Sequence, residues 1–204
     1  MDMRSGKLIR HFDRRRFLQR MAYCAIAGSS SGYIAVTLAQ TGSPVYGILG
    51  ETAPEIEANF WIDRNGESTT FRMEQAKDRW LFVKCFQSWC PGCHEHGLPT
   101  LKKVADAFDG DDRVVLIAIQ TVFEGFDVNT GDKVRETQLQ YDLPITMGHD
   151  AGDPNGDHRP ITMRRYRTGG TPWMILVNPE GQVIYNHFQI DGDKLIAYIR
   201  SELA

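Results

Sequence analysis

The sequence predicts an α/β domain built on a mixed β-sheet with helices on both faces. Three observations carry this expectation. Short apolar runs alternate with segments of helical apolar spacing in the order β-α-β-α-β-β-α. One run, residues 114–119, is continuous and rich in Val and Ile, the pattern of a strand covered on both sides. Two pairs of runs are joined by tight-turn residues, Asn65-Gly66 and Asn178-Pro179-Glu180-Gly181, so some neighbouring strands run antiparallel.

Each element follows in order. Residues 59–63 and 67–71 flank Arg64-Asn65-Gly66, and Asn and Gly both tolerate positive φ, which predicts an N-terminal β-hairpin. Residues 80–86 form an apolar run interrupted by Lys84 and read as a buried strand. Beyond Cys93, Leu98, Leu101, Val104, Ala105 and Phe108 fall on one helical face. Pro99 lacks a backbone donor and predicts a kink there. Residues 133–141 read as a second helix and 143–147 as a strand followed by a polar loop. Residues 173–177 and 182–188 pair across a type I turn with Pro179 second and Gly181 fourth. Asp191 or Asp193 caps the last helix, whose apolar residues are Leu195, Ile196 and Ile199.

The chain of 204 residues suits one domain plus a targeting segment. Seven of its 23 Lys and Arg, but only two of its 26 acids, fall in residues 1–39, leaving 16 bases against 24 acids in the rest. So acidic a body would repel phosphates, which excludes nucleic acid as a partner. Arg14, Arg15, Phe17 and Leu18 match the twin-arginine export pattern, and the uncharged residues 21–39 follow. Thr37-Leu38-Ala39 offers a cleavage site, and retention of residues 21–39 as a membrane anchor is the alternative. Cys24, inside this stretch, has no lipid-attachment context. The expected organisation is a signal or anchor at 1–39, a linker at 40–57 and a folded domain at 58–204, in a periplasmic or other extracytoplasmic compartment.

Cys85, Cys90 and Cys93 fall within nine residues, which points to local chemistry and not to a disulfide framework. Trp89-Cys90-Pro91-Gly92-Cys93 joins a strand to a helix. A thiolate is the nucleophile in disulfide exchange, and an ordinary thiol with pKa about 8.5 is mostly protonated at neutral pH. The unpaired N–H groups and positive field of a helix N-terminus favour the ionised sulfur. His94, four residues after Cys90, would share its face and add charge when protonated. Cys90 would attack a partner disulfide and Cys93 would resolve the mixed disulfide.

Other chemistries fit less well. Cys90-Pro91-Gly92-Cys93-His94 also matches the haem-attachment pattern, but it follows an apolar strand, and twin-arginine export carries folded protein. A metal set of Cys90, Cys93, His94 and His96 is crowded into one helical turn and closes a tetrahedron poorly. Asp153, Asn155 and Asp157 alternate as at the start of a calcium loop, yet His158 and Arg164 stand where the glycine and the final acid belong. Arg164, Arg165 and Arg167 read as a solvated helix face rather than a frame for an anionic partner. No cofactor or metal is expected.

Taken together, these segments resemble the TlpA-like periplasmic thiol:disulfide oxidoreductases, a thioredoxin-fold family related to the peroxiredoxins. The resemblance runs from about Ala53 to the C-terminus. It rests on Ala53-Pro54, the Asn65-Gly66 hairpin, residues 80–93, Tyr141-Asp142-Leu143-Pro144, Gly170-Thr171-Pro172 and the final strand pair. It implies a three-layer thioredoxin-like fold, with Thr171-Pro172 as a cis bond facing Cys90 and Cys93. It also implies a protein dithiol or disulfide as substrate and an upstream thiol as electron donor. The sequence departs from the family at Gly92, at Pro99 and at His96, which stands beside Glu95 where relatives place a glutamate; His96, on the helical face of Cys93, either takes over proton transfer or is a solvated surface histidine. Cys85 reads as a buried, inert thiol. Two rival functions remain open. One is a thiol peroxidase with Cys93 attacking peroxide, although Cys90 and Phe86 replace the hydroxyl residue and proline of that branch. The other is a non-catalytic binding module.

Overall fold

A computed structural model describes residues 46–153 and 155–204. The export pattern, Cys24 and residues 21–39 lie outside the described residues. Seven strands make one mixed sheet: β1 (Phe60–Ile62), β2 (Ser68–Thr69), β3 (Trp80–Phe86), β4 (Val114–Thr121), β5 (Thr146–Asp150), β6 (Trp173–Val177) and β7 (Val183–His187). Their spatial order is β2-β1-β5-β4-β3-β6-β7. β3, β4 and β5 run parallel, and β1, β2, β6 and β7 complete the edges in antiparallel pairs. Four α-helices pack on the sheet: α1 (Leu98–Ala107), α2 (Asp132–Gln140), α3 (Ile161–Tyr166) and α4 (Gly192–Glu202). This is the thioredoxin-like fold expected from the sequence.

The layers are unequal. Leu98 and Leu101 of α1, Val134 of α2 and Leu195 and Ile199 of α4 share one core with Phe82, Phe86, Cys90 and Cys93. Tyr166 of α3, with Ile48 and Ile56, closes the other face over Leu81, Val83 and Cys85. Right-handed crossovers that step from β3 to β4 to β5 in one direction must put α1 and α2 on the same face. Side chains alternate along β3, so Lys84 shares a face with Phe82 and Phe86 while Cys85 points the opposite way. The burial of Ile48 and Ile56, at 3% and 1% exposed, packs this part of the expected 40–57 linker onto the domain.

Three local expectations change. In the β1–β2 hairpin only Gly66 takes positive φ (88°), and Asn65 does not. The Asp63 side chain accepts the N–H groups of Asn65 and Glu67 (2.8 and 2.9 Å) and builds a longer turn. β5 begins at Thr146, not at residue 143, because Asp142 is left-handed (φ 48°) and the Leu143 N–H returns to the Gln138 carbonyl. The polar loop after β5 contains α3, capped from a distance by buried Asp150, which accepts the N–H groups of Ile161 and Thr162 (2.9 and 2.8 Å). Asp191 caps α4 by accepting the N–H groups of Asp193 and Lys194.

Candidate active site

β3 ends at Phe86 in the centre of the sheet and delivers the chain to the start of a helix. Residues 91–92 are helical, Cys93–Gly97 form a π-helical turn, and α1 follows. The wider turn precedes Pro99, which has no N–H to give; the expected kink is this turn, in which the Leu98 N–H reaches back to the Cys93 carbonyl. Trp89, between strand and helix, is 46% exposed and lies against the loop at Gly125.

The two sulfurs sit in different surroundings. Cys90 retains 8% exposure and Cys93 none. The Cys93 N–H lies 3.2 Å from Cys90 Sγ. A hydrogen bond from the Cys93 side chain brings the Cys90 thiol down to about 6 against the effect of burial; Thr171, the Cys93 N–H and the Lys84 charge add to it. The same hydrogen bond and burial push Cys93 well above the usual thiol range. Thiolate character therefore falls on the more accessible sulfur.

The Thr171–Pro172 bond is cis. Pro172 lies across the helix start: a methyl group on Gly92 would meet its Cδ at 3.4 Å, and one on Gly97 its Cβ at 3.0 Å. Gly92 thus leaves the proline in contact with the turn that carries both cysteines, and Pro91 stands exposed beside it.

His94 does not join the sulfurs. Its Nε2 donates to the Ser88 carbonyl at 2.5 Å, and its Nδ1 lies 2.7 Å from the Tyr141 hydroxyl. The ring pins the helix start to the strand end, and it is absent from the groups that lower Cys90. Glu95 and His96 face solvent, with His96 Nε2 3.8 Å from the Glu95 carboxylate, and among the described residues neither bonds a sulfur. They line an open groove with Pro99, Lys103 and Ile190.

Asn129 and Ser88 carry no sequence signal as framework groups, and Tyr141 stands out only within the Tyr141-Asp142-Leu143-Pro144 segment. Asn129 Oδ1 accepts the Ser88 N–H (2.8 Å) and hydroxyl (2.9 Å), while its Nδ2 donates to the carbonyls of Glu124 and Gly125. This clamp ties the loop after β4 to the shoulder of the cysteine turn. Trp89, next to Cys90 in the chain, and Val128 are each nearly half exposed and meet at Gly125. Cys85 is fully buried on the far face of the sheet, and burial pushes its thiol up to about 12.

Among the described residues no group of three or more His, Cys, Asp or Glu could hold a metal ion. Asp157, in the calcium-like stretch, is engaged by Arg159 at 2.8 Å. Arg165 pairs with Glu57 at 2.7 Å and Arg164 lies 3.7 Å from Asp157, so these arginines are occupied locally.

The AhpC/TSA family profile matches residues 49–186. A thiol-disulfide isomerase from Corynebacterium glutamicum superposes with a TM-score of 0.62 at 30% identity, over 73% of this chain and 95% of that one. A thioredoxin-like superfamily protein gives 0.65 at 28% identity, over 74% and 94%. The thioredoxin domain of a thiol-disulfide oxidoreductase from Bacteroides vulgatus shares the fold at 21% identity (TM-score 0.57), over 77% of this chain and 99% of that one. No match was found among curated proteins.

Proposed function

This chain belongs to the AhpC/TSA family and is a thiol-disulfide oxidoreductase of the thioredoxin fold, and from that premise we propose that it reduces protein disulfides through the Cys90–Cys93 dithiol. One observation carries the reading: the Cys90 sulfur, the less buried of the pair, lies 3.2 Å from the Cys93 N–H, and the hydrogen bond from the Cys93 side chain lowers its pKa. Cys90 attacks the partner disulfide, and Cys93 displaces the partner. Exposed Trp89 and Val128, which meet at Gly125, offer a polypeptide an apolar footing next to the cysteine turn. An upstream thiol donor restores the dithiol. With dithiothreitol as donor, the protein should reduce insulin disulfides, and Cys90→Ser should lose at least a hundredfold in rate. Unaltered turnover by that variant would sink the proposal.

A peroxidase reading requires Cys93 to meet peroxide, and full burial with a raised thiol pKa counts against it. Consumption of hydrogen peroxide that survives Cys90→Ser and is lost in Cys93→Ser would favour it instead. A plain binding module would show neither activity.

The Arg14-Arg15-Phe17-Leu18 pattern supports export by the twin-arginine route to an extracytoplasmic compartment, with residues 21–39 cleaved or kept as an anchor. Among the described residues no helix is long and apolar enough to cross a membrane. Changing Arg14 and Arg15 to Lys should leave the precursor in the cytoplasm; continued export would refute the route.

A further inference from the structure

Lys84 lies against the helical turn that begins at Cys93, and the exchange steps above make no use of it. It is fully buried in the middle of β3, between Ala118 of β4 and Met174 of β6. Strand alternation puts it on the face that carries Cys90, Cys93 and α1. Its Nζ lies against the π-helical turn, because a methyl group on Gly97 would come 2.5 Å from Nζ. That nitrogen has no hydrogen-bond partner among the described residues. An isolated ammonium in such a place is costly, and the usual remedies are a carboxylate or deprotonation.

No carboxylate acts on it. Ala118, Met174 and Gly97 around it do not ionise. The ionisable groups that bear on it are three sulfurs, first Cys93, then Cys85 from the next strand position, then Cys90. Burial, partly offset by those sulfurs, brings Lys84 down to about 8. Cys85 titrates far above neutrality, so the anion available near pH 7 is that of the Cys90–Cys93 pair.

We propose that Lys84 is the counter-charge of the reduced dithiol: its buried ammonium beneath the Cys90–Cys93 turn stabilises the thiolate form and so raises the reduction potential of the couple. This rests on the exchange reading above and sets how strongly the protein reduces. In the reduced pair Cys90 is a thiolate and Cys93 a thiol. Cys90 Sγ attacks a polypeptide disulfide, whose S–S bond breaks, and the first leaving thiolate takes a proton from water. Cys93 loses its proton to solvent and its sulfur attacks Cys90 Sγ. The mixed bond breaks and the second partner thiolate is protonated in turn. Two electrons have passed from the dithiol to the partner disulfide. No sulfur anion of the pair remains, so Lys84 has lost its partner and gives up its proton more easily. The dithiol state thus enjoys an attraction that the disulfide state lacks, and by mass action the pair is a milder reductant than one with a neutral residue at this position.

Equilibration of the full chain with glutathione at pH 7 reads the effect. Lys84→Met and Lys84→Gln should shift the equilibrium towards the disulfide at least tenfold, a potential lower by about 30 mV. They should also raise the pH at which Cys90 becomes reactive. An equilibrium within twofold of the native protein in a folded variant would overturn the proposal. Should both variants fail to fold, the native protein decides the matter. With 15N-labelled lysine, the Lys84 ammonium should titrate at least one pH unit lower in the disulfide form than in the dithiol form, and an identical midpoint in the two forms would overturn it. A pair that forms no mutual disulfide would defeat the exchange reading itself. A pair that cycles normally while Lys84 titrates independently of it would defeat this inference alone.

Discussion

Cys90 and Cys93 are chemically the same residue, and their environments make them different groups. One donated hydrogen bond lowers the first against its burial, and the same bond together with burial raises the second. Iodoacetamide should therefore label Cys90 alone in the native reduced protein. Because the Cys90 thiol is depressed to about 6, its labelling should rise with pH through that value and level off above it. Mass spectrometry after short pulses checks this, and a midpoint near 8.5 would contradict it. The same sign governs stability. The folded protein keeps this sulfur ionised where the unfolded chain does not, so its contribution is present above the unfolded thiol range and fades as pH falls through about 6. The cysteine pair was legible from its spacing and its place after an apolar strand. The burial of Lys84 was not, since a lysine in an apolar run reads as an interruption, and only the strand's central position shuts it in.

At the scale of elements, α3 depends on a residue outside itself. Pro160 precedes it and supplies no side-chain cap. Asp150, at the end of β5 and fully buried, accepts two of its first N–H groups and that of Gly152. Burial raises the Asp150 carboxyl above its usual range, the N–H groups it accepts oppose that, and an unpaired buried donor is costly. Asp150→Ala should cost about 2–3 kcal/mol of stability, read from urea unfolding, with Asp150→Asn losing less. The two helices with clear apolar periodicity, α1 and α4, were legible in sequence. α3 was hidden because its six residues carry two arginines and its cap lies 11 residues upstream. β5 was misplaced for a related reason. Its apolar approach, Leu143 and Ile145, is buried without pairing, while the paired residues Gly148, His149 and Asp150 are not strand formers by composition.

For the whole molecule, the order of helices and strands was enough to foresee a mixed sheet, and the late Thr171-Pro172 segment and final hairpin tied that sheet to the cysteines. The uneven covering of the two faces was not foreseen. It arises from crossovers that step in one direction, a matter of strand order that no local pattern states. The same arrangement separates the three thiols of the folded domain. Cys90 and Cys93 belong to the layer beneath α1, and Cys85 to the layer beneath α3. The sheet is therefore a partition wall. A bridge between Cys85 and either neighbour has no route through it, so the enzyme is protected from scrambling its own active pair for as long as it stays folded. Any such bridge recovered from cells would be a fingerprint of chains that were oxidised before folding finished or after it failed.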